Sequence, residues 1–258
     1  MLETKIIVIL ITVIATAIII PVVLFVHFCP SGTLYDSILG QCITGSEGWK
    51  ITGYFTPVET DYPNDTSVSV YVRGIKADGS FDYMENNTKY YLKEFKSTFV
   101  NEINIQGSGK TSENKILQTW LGDFIHPNGT KTRFYHYEPC AKTSSGICLD
   151  LLADSLDAPM VMVAVSNGTT DLEAGVIAHG TLFHIPDIPY PWNSKTFWAV
   201  DTGEWHDKHV DIYTGYGLQA RAEAERITKL PPDSSGTVLV IGFKSTNGTH
   251  SVSSNPLP

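Results

Sequence analysis

Ile6 through Val26 carries no charged side chain, and this run constrains the chain more than any other feature. At about 1.5 Å per residue it reaches roughly the 30 Å of a bilayer's hydrocarbon core, so it predicts one transmembrane helix within residues 1–28. A cleaved leader has a shorter apolar stretch ending in small residues. Here Phe25, Val26, His27 and Phe28 fill that place, which favours a retained anchor. Lys5 is the basic residue beside the run on its N-terminal side, which puts the N-terminus in the cytoplasm and everything after Cys29 outside. The expected location is the cell membrane, with a single span.

Two further features agree with an extracytoplasmic domain. Asn64, Asn86, Asn128, Asn167 and Asn247 each open an Asn-x-Thr sequon, the acceptor pattern for N-glycosylation. The four cysteines, Cys29, Cys42, Cys140 and Cys148, all lie beyond the apolar run and allow three pairings. Loop closure favours Cys29 with Cys42 and Cys140 with Cys148, because short loops cost the least entropy. Cys29 is not preceded by the small residues of a lipoprotein site. A net charge of -9 with only 18 Lys plus Arg leaves no basic patch for phosphates, so nucleic acid is excluded as a partner and a neutral or cationic polymer fits better.

Residues 29–46 read as a short Cys-containing stalk, residues 47–250 as one domain, and residues 251–258 as a polar tail. Within the domain, Val68, Val70 and Val72 alternate with polar residues, and Asp78-Gly79 offers a hairpin turn. Leu92, Phe95 and Phe99 fall at helical spacing and predict a helix over 89–100. Short apolar runs at Met160 to Val165, Thr196 to Val200 and Val238 to Phe243 predict strands. Leu218, Ala222, Ile227 and Leu230 predict the buried face of a helix stopped by Pro231-Pro232. The reading is all-β with short helices.

Three groups carry potential chemistry. Gly107-Ser108-Gly109-Lys110-Thr111 ends like a phosphate-binding loop, but Asn104 stands where that motif needs its first glycine. His206 and His209 with Asp201 and Asp211 offer zinc-type ligands without any zinc signature in their spacing, so no metal or other cofactor is expected. The remaining group is Asp201-Thr202-Gly203 followed by His209-Val210-Asp211, two carboxylates on strand-like segments flanking a loop. Glycosidic cleavage uses such a pair: one carboxyl protonates the leaving oxygen and another supports the oxocarbenium-like transition state. The alternative is that Asp201 caps a turn and Asp211 is structural.

These residues resemble the three-aspartate (3D) domain family, which includes membrane-bound lytic transglycosylase A. Thr52-Gly53-Tyr54-Phe55-Thr56-Pro57 is similar to the family's early Gly-Tyr-x-x-Pro strand, and Ile105-Gln106-Gly107-Ser108-Gly109-Lys110 to its Gln-Gly-Ser-Gly-basic motif. The block from about 155 to 245 carries the two late aspartates, with Gly215, Gly217 and Ala220 continuing the pattern. The first family aspartate is replaced: Ala164-Val165-Ser166 stands there, and Asp171 or Glu173 in the following insertion are the substitutes the resemblance leaves.

The resemblance implies a six-stranded double-psi β-barrel without room for a large second domain. It also implies a lytic transglycosylase-type enzyme acting on a β-1,4-linked cell-wall or surface polysaccharide and leaving a 1,6-anhydro product. Asp211 is then the general acid and Asp201 its partner. Tyr54, Gln106, Gly107, Ser108, Thr202 and Gly203, with Asp171 and Glu173, are then expected to contact the saccharide. The rival expectation is a non-catalytic polysaccharide-binding or wall-remodelling protein of expansin type.

Overall fold

The computed structural model describes residues 7–11, 22–26, 29–31, 33–36, 39–73, 90–125, 131–149, 160–203, 207–228 and 236–244. The strands run β1 (Ile7–Ile11), β2 (Val22–Val26), β3 (Thr33–Asp36), β4 (Gln41–Thr56), β5 (Ser67–Arg73) and β6 (Tyr90–Lys96). Helix α1 (Ser97–Gln106) is followed by β7 (Ser108–Lys110), β8 (Ile116–Ile125), β9 (Lys131–Glu138), β10 (Met160–Val165), β11 (Thr181–His184), β12 (Thr196–Thr202) and β13 (His209–Tyr216). Helix α2 (Gly217–Thr228) and β14 (Gly236–Phe243) complete the order.

Period-two alternation builds the main body. Trp49 and Ile51 of β4, Val161, Val163 and Val165 of β10, and Phe183 of β11 all enter one buried cluster. Phe197 and Ala199 of β12, Val210 and Ile212 of β13, and Val238 and Val240 of β14 enter the same cluster. Every second residue therefore points to a common interior, as a closed barrel requires. Full burial of a side chain such as Ile212 is worth about 1.5–3 kcal/mol.

The strand order is β13-β10-β12-β11-β14-β4, and β4 pairs back to β13, which closes a six-stranded ring. The pairings β10–β12 and β4–β13 are parallel and the other four antiparallel. Exchanging β4, β10 and β11 for β12, β13 and β14 leaves this order and its directions unchanged, so the ring is two interlocked three-strand halves.

The expectation of one barrel alone is corrected. Between β4 and β10 the chain builds a second, five-stranded sheet ordered β6-β5-β9-β8-β7. It is a half-barrel whose concave side is filled by α1: Phe99, Val100 and Ile103 pack on Val72, Phe95, Leu117, Tyr135 and Tyr137. The inserted stretch carries its own apolar alternation and so forms its own core instead of joining the ring.

The helix expected over 89–100 is also corrected. Tyr90–Lys96 pairs with β5 in antiparallel register, leaving Leu92 60% exposed, and the helix begins only at Ser97. Tyr and Phe at alternate positions favour a pleated, half-buried strand here, and that outweighs the coincidental spacing of Leu92, Phe95 and Phe99. In α2 the buried face is Gly217, Ala220, Ala224 and Ile227, while Leu218 is exposed. Small residues are needed because α2 rests on the backbone of β4: a Cβ at Gly53 would lie 2.7 Å from Ala224 Cα.

Residues 29–46 contribute β3 and the start of β4, and β3 adds to the β4 edge. Cys29–Cys42 and Cys140–Cys148 are the disulfides, with Cα separations of 5.5 and 5.6 Å, as loop closure favours. The expected transmembrane helix is corrected where its residues are described. Ile7–Ile11 and Val22–Val26 pair as antiparallel strands, in keeping with their β-branched content, and the middle of the run lies outside the described residues. Among the described residues no helix is long and apolar enough to cross a membrane. The Asp78-Gly79 turn and the 251–258 tail also lie outside them.

Candidate active site

On β4, β10 and β13 the residues between the interior ones face outward, among them Thr52, Ala164 and Asp211. Asp211 is the direct partner of Thr52 on one side and of Ala164 on the other. By strict alternation Asp201 on β12 would point inward. The parallel register slips there: Val163 pairs with Ala199 but Ala164 with Asp201, so Val200 is an extra, bulged residue. Bulges re-aim the side chain that follows them, and this one brings Asp201 to the outward face. Thr52, Asp211, Ala164 and Asp201 therefore form one transverse row across four strands.

The row lies where the half-barrel docks. Met162, Trp198, Val200 and Tyr213 on the barrel's outside share a buried cluster with Ile116 of β8 and with Ala141 and Leu149 of the segment that follows β9. The Tyr54 and Tyr213 rings meet at a tilt with centroids 5.2 Å apart and Tyr216 meets Tyr213 edge-on at 6.3 Å, forming an aromatic stripe beside the carboxylates. Lys110 of β7 holds its ammonium 5.6 Å from the Tyr216 ring centroid, so the second layer brings one cation to the stripe.

Asp211 is half-buried, and burial, reinforced by the like charge of Asp201, pushes its carboxyl up to about 6. The Thr52 hydroxyl and Lys50 act the other way. Thr52 donates to Asp211 Oδ1 at 2.6 Å, and His209 Nε2 lies 2.8 Å from the same hydroxyl. Burial and Lys50 depress His209 to about 4, so the imidazole is neutral at neutral pH.

Asp201 is held differently. Its Oδ1 accepts from the backbone N–H groups of Ser144 at 2.7 Å and Thr202 at 2.9 Å, and its Oδ2 from the Tyr54 hydroxyl at 3.3 Å. Burial and the two aspartates raise the Tyr54 phenol well above its ordinary value, so it stays a donor. Ser144 Oγ also donates to Thr202 Oγ1 at 2.9 Å. His179 Nε2 lies 3.1 Å from the Asp201 carbonyl, which can only accept, so that nitrogen carries the hydrogen.

Of the residues singled out in the sequence, Asp201, Asp211, Tyr54 and Thr202 meet in this site. Gln106 sits nearby but accepts the Phe55 N–H through Oε1 at 3.3 Å. Gly107 ends α1 at φ 87° with its N–H on the Ile103 carbonyl, and Ser108 is buried in β7. Gly109 packs so closely on α1 that a Cβ would lie 2.6 Å from Ile103 Cγ1, so this Gly-Ser-Gly stretch is a packing element. Gly203 donates to the Val165 carbonyl.

Asp171 and Glu173 serve other contacts. Asp171 closes a turn onto Val176 and accepts the Ala174 N–H, and Glu173 pairs with Lys208 at 2.9 Å. Neither has a bond to Asp201 or Asp211 among the described residues. Asn64 and Asn167 are exposed, and Asn86, Asn128 and Asn247 lie outside the described residues. Among the described residues no cluster of three or more His, Cys, Asp or Glu side chains is arranged to hold a metal ion.

Sequence reasoning missed the roles of Thr52, Ser144 and Lys50, and read His209 only as a metal ligand candidate. Thr52 and Asp211 are 159 positions apart, and only the β4–β13 register reveals the contact.

No protein-family model matches this chain, and no curated protein matches it. Among solved structures it is similar to the E. coli lytic transglycosylase MltA in an apo-2 form, at 14% identity, over 83% of this chain and 75% of that one, with a TM-score of 0.40. It is also similar to MltA from Neisseria gonorrhoeae, at 14% identity, over 76% and 72% of the two chains, with a TM-score of 0.41.

Proposed function

We propose that this outward row cleaves glycosidic bonds in a β-1,4-linked polysaccharide by the lytic transglycosylase reaction, with Asp211 as acid and then base. The observation that carries the reading is the placement of Asp211: a half-buried carboxyl bonded to Thr52 and set in the same strand row as a second carboxylate, where burial pushes it up to about 6. A group that must both give and take a proton works best near the ambient pH. The barrel, with its two interlocked halves, is read as double-psi.

In the first half of the reaction the neutral Asp211 carboxyl gives its proton to the glycosidic oxygen as the bond from C1 to that oxygen breaks. The Asp201 carboxylate offsets the positive charge growing at C1 and the ring oxygen. In the second half the sugar's own C6 hydroxyl bonds to C1, and its proton passes to Asp211. The products are a chain with a free hydroxyl and a chain ending in a 1,6-anhydro sugar. No water is consumed and Asp211 returns to its acid form. Tyr54 and Tyr216, which are only partly buried, offer ring faces against which sugars pack, with Tyr213 buried behind them.

The test is mass spectrometry of soluble products after the full chain, as wild type and as Asp211→Asn, is incubated with a panel of purified cell-wall and surface glycans. Anhydro-ended fragments from the wild type alone support the enzyme. Fragments from neither form, with binding by both, leave the second reading, a polysaccharide-binding barrel of expansin type. That reading draws on the bonding of Asp201, whose three donors also suit a carboxylate that braces the Ser144 loop.

We further propose that the apolar run Ile6 to Val26 attaches the chain to the cell membrane with the barrel outside and its sequons glycosylated. The disulfides and the exposed Asn64 and Asn167 support that side of the membrane. Release by alkaline carbonate, or no mobility change with a glycosidase, would each remove one half of this proposal.

A further inference from the structure

We infer that His209 is a positioning residue that decides, through Thr52, which oxygen of Asp211 carries the transferable proton. The inference rests on the proposed role of Asp211 as acid and base. Thr52 has one hydroxyl hydrogen and two neighbours within reach, Asp211 Oδ1 at 2.6 Å and His209 Nε2 at 2.8 Å. Two hydrogen-bond polarities fit those distances.

In the first, His209 carries its hydrogen on Nε2 and donates to Thr52, which in turn donates to Asp211 Oδ1. That oxygen is then an acceptor, and the acid proton resides on Oδ2. In the second, His209 carries its hydrogen on Nδ1, Nε2 accepts from Thr52, and Asp211 donates from Oδ1 into the relay. The proton is then committed to Thr52 and is lost to the substrate. Ionised Asp211, as it exists between the two halves of the reaction, can only accept. Only the first polarity serves both halves without moving a hydrogen inside the relay.

The surroundings keep His209 in the neutral form this needs. It is 4% exposed and stands opposite Lys50 in the β4–β13 pairing. Among the described residues, Lys50 on β4 and Asp207 just before β13 are the charged groups bearing on it, with Asp211 reached through Thr52 and Asp201 beyond Asp211. The cation next to the ring disfavours a second positive charge, and burial acts in the same direction. His209 therefore stays neutral, with a single ring hydrogen, across the pH range in which Asp211 exchanges its proton.

The experiment is nitrogen-15 NMR of the His209 ring in the full chain, with carbon-13 titration of the Asp211 carboxyl in wild type, His209→Gln, His209→Leu and Thr52→Val. We expect the Nε2–H tautomer in the wild type. Leucine cannot orient Thr52, so in His209→Leu the Asp211 titration moves up by roughly one pH unit, as in Thr52→Val. Glutamine offers an amide N–H and restores most of the wild-type titration. On any glycan the wild type cleaves, kcat falls roughly tenfold in His209→Leu at unchanged KM and recovers in His209→Gln. An Nδ1–H tautomer, or an Asp211 titration identical in wild type and His209→Leu, overturns the inference. Because both NMR readouts need no substrate, coupling without cleavage would sink the enzyme reading and leave the His209–Thr52–Asp211 relay standing.

Discussion

Asp201 and Asp211 are both direct cross-strand partners of Ala164, one on each side of β10. Neighbouring strands are about 4.8 Å apart, so two carboxylates ten positions apart in sequence are set roughly two strand spacings apart with a methyl group between them. The small side chain matters, since a larger one at position 164 would stand in the row between them. Each carboxylate then acquires its own environment. Asp211 is buried against Thr52 and gains a raised affinity for its proton, while Asp201 takes up N–H and O–H donors. Two like groups are pushed toward different tasks by what surrounds them.

Asp211→Asn should remove cleavage by about 10²–10⁴-fold, since an amide neither donates an acidic proton nor takes one back. Asp201→Asn should lower kcat less, because it weakens charge stabilisation and leaves the proton transfer in place. The ratio of the two losses, measured as release of anhydro-ended fragments with each variant's fold checked by circular dichroism, tests the division of labour. Equal losses would argue against it.

The titration of Asp211 has a consequence for stability. Its folded value of about 6 lies above the ordinary 3.8, so the native state binds this proton more tightly than the unfolded chain. That contribution is fully present below about 3.8 and is lost as pH rises through 6, where ionised Asp211 costs on the order of 2 kcal/mol after allowance for its partial exposure. Asp211→Asn should therefore unfold at higher urea than the wild type at pH 7.5, with the difference shrinking below pH 4. His209, with a folded value of about 4 against an ordinary 6.5, contributes with the opposite sign and loses its stabilisation as pH falls through 4. A difference between wild type and Asp211→Asn that does not change with pH would contradict the burial of Asp211.

Cleavage itself should fall as pH rises above 6, because only roughly a tenth of Asp211 remains in the acid form at pH 7. The pH profile of kcat/KM in the free enzyme reads this directly. A profile flat from pH 5 to 8 would remove Asp211 from the acid role.

How far the sequence could be read depended on the range of each signal. Period-two alternation is local, so the barrel strands at Met160 to Val165, Thr196 to Val200 and Val238 to Phe243 were legible, as were the disulfides, whose partners are close in sequence. Tyr90–Lys96 was not: Leu92, Phe95 and Phe99 satisfy helical spacing, and only pairing with β5 decides otherwise. In the site, Asp201 and Asp211 stand in a recognisable block, but the bulge at Val200 that aims Asp201 depends on a partner strand forty positions upstream, roughly, and leaves no mark in the residues themselves. Thr52 donates through its hydroxyl and Ser144 through its backbone N–H; register brings one to Asp211 and a loop brings the other to Asp201, and neither leaves a local signature.

The loop closed by Cys140–Cys148 carries Ser144, whose N–H reaches Asp201 Oδ1 at 2.7 Å. Ser144→Pro removes that donor, whereas Ser144→Ala keeps it and loses only the hydroxyl bond to Thr202. The proline variant should lower kcat by roughly tenfold, and the alanine variant should stay near wild type. Replacing both cysteines by serine should give an intermediate loss, because it loosens the loop without removing the N–H. Equal rates for proline and alanine variants would mean that this backbone bond has no part in holding Asp201.

Gly53 separates Thr52 and Tyr54, the residues that bond to Asp211 and Asp201, and its missing side chain is what lets α2 lie against β4. A Cβ there would meet Ala224 at 2.7 Å from its Cα and 3.1 Å from its carbonyl oxygen. Backbone atoms of a helix packed by Ala220, Ala224 and Ile227 cannot move aside singly, so Gly53→Ala must shift α2 or β4 as a unit. Overpacking of this kind typically costs about 1–3 kcal/mol. If β4 gives way, Thr52 and Tyr54 move with it and activity falls further than the loss of stability accounts for. Urea unfolding and kcat measured on the same Gly53→Ala preparation separate the cases: lost stability with intact kcat means that α2 moved, and loss of both means that β4 did.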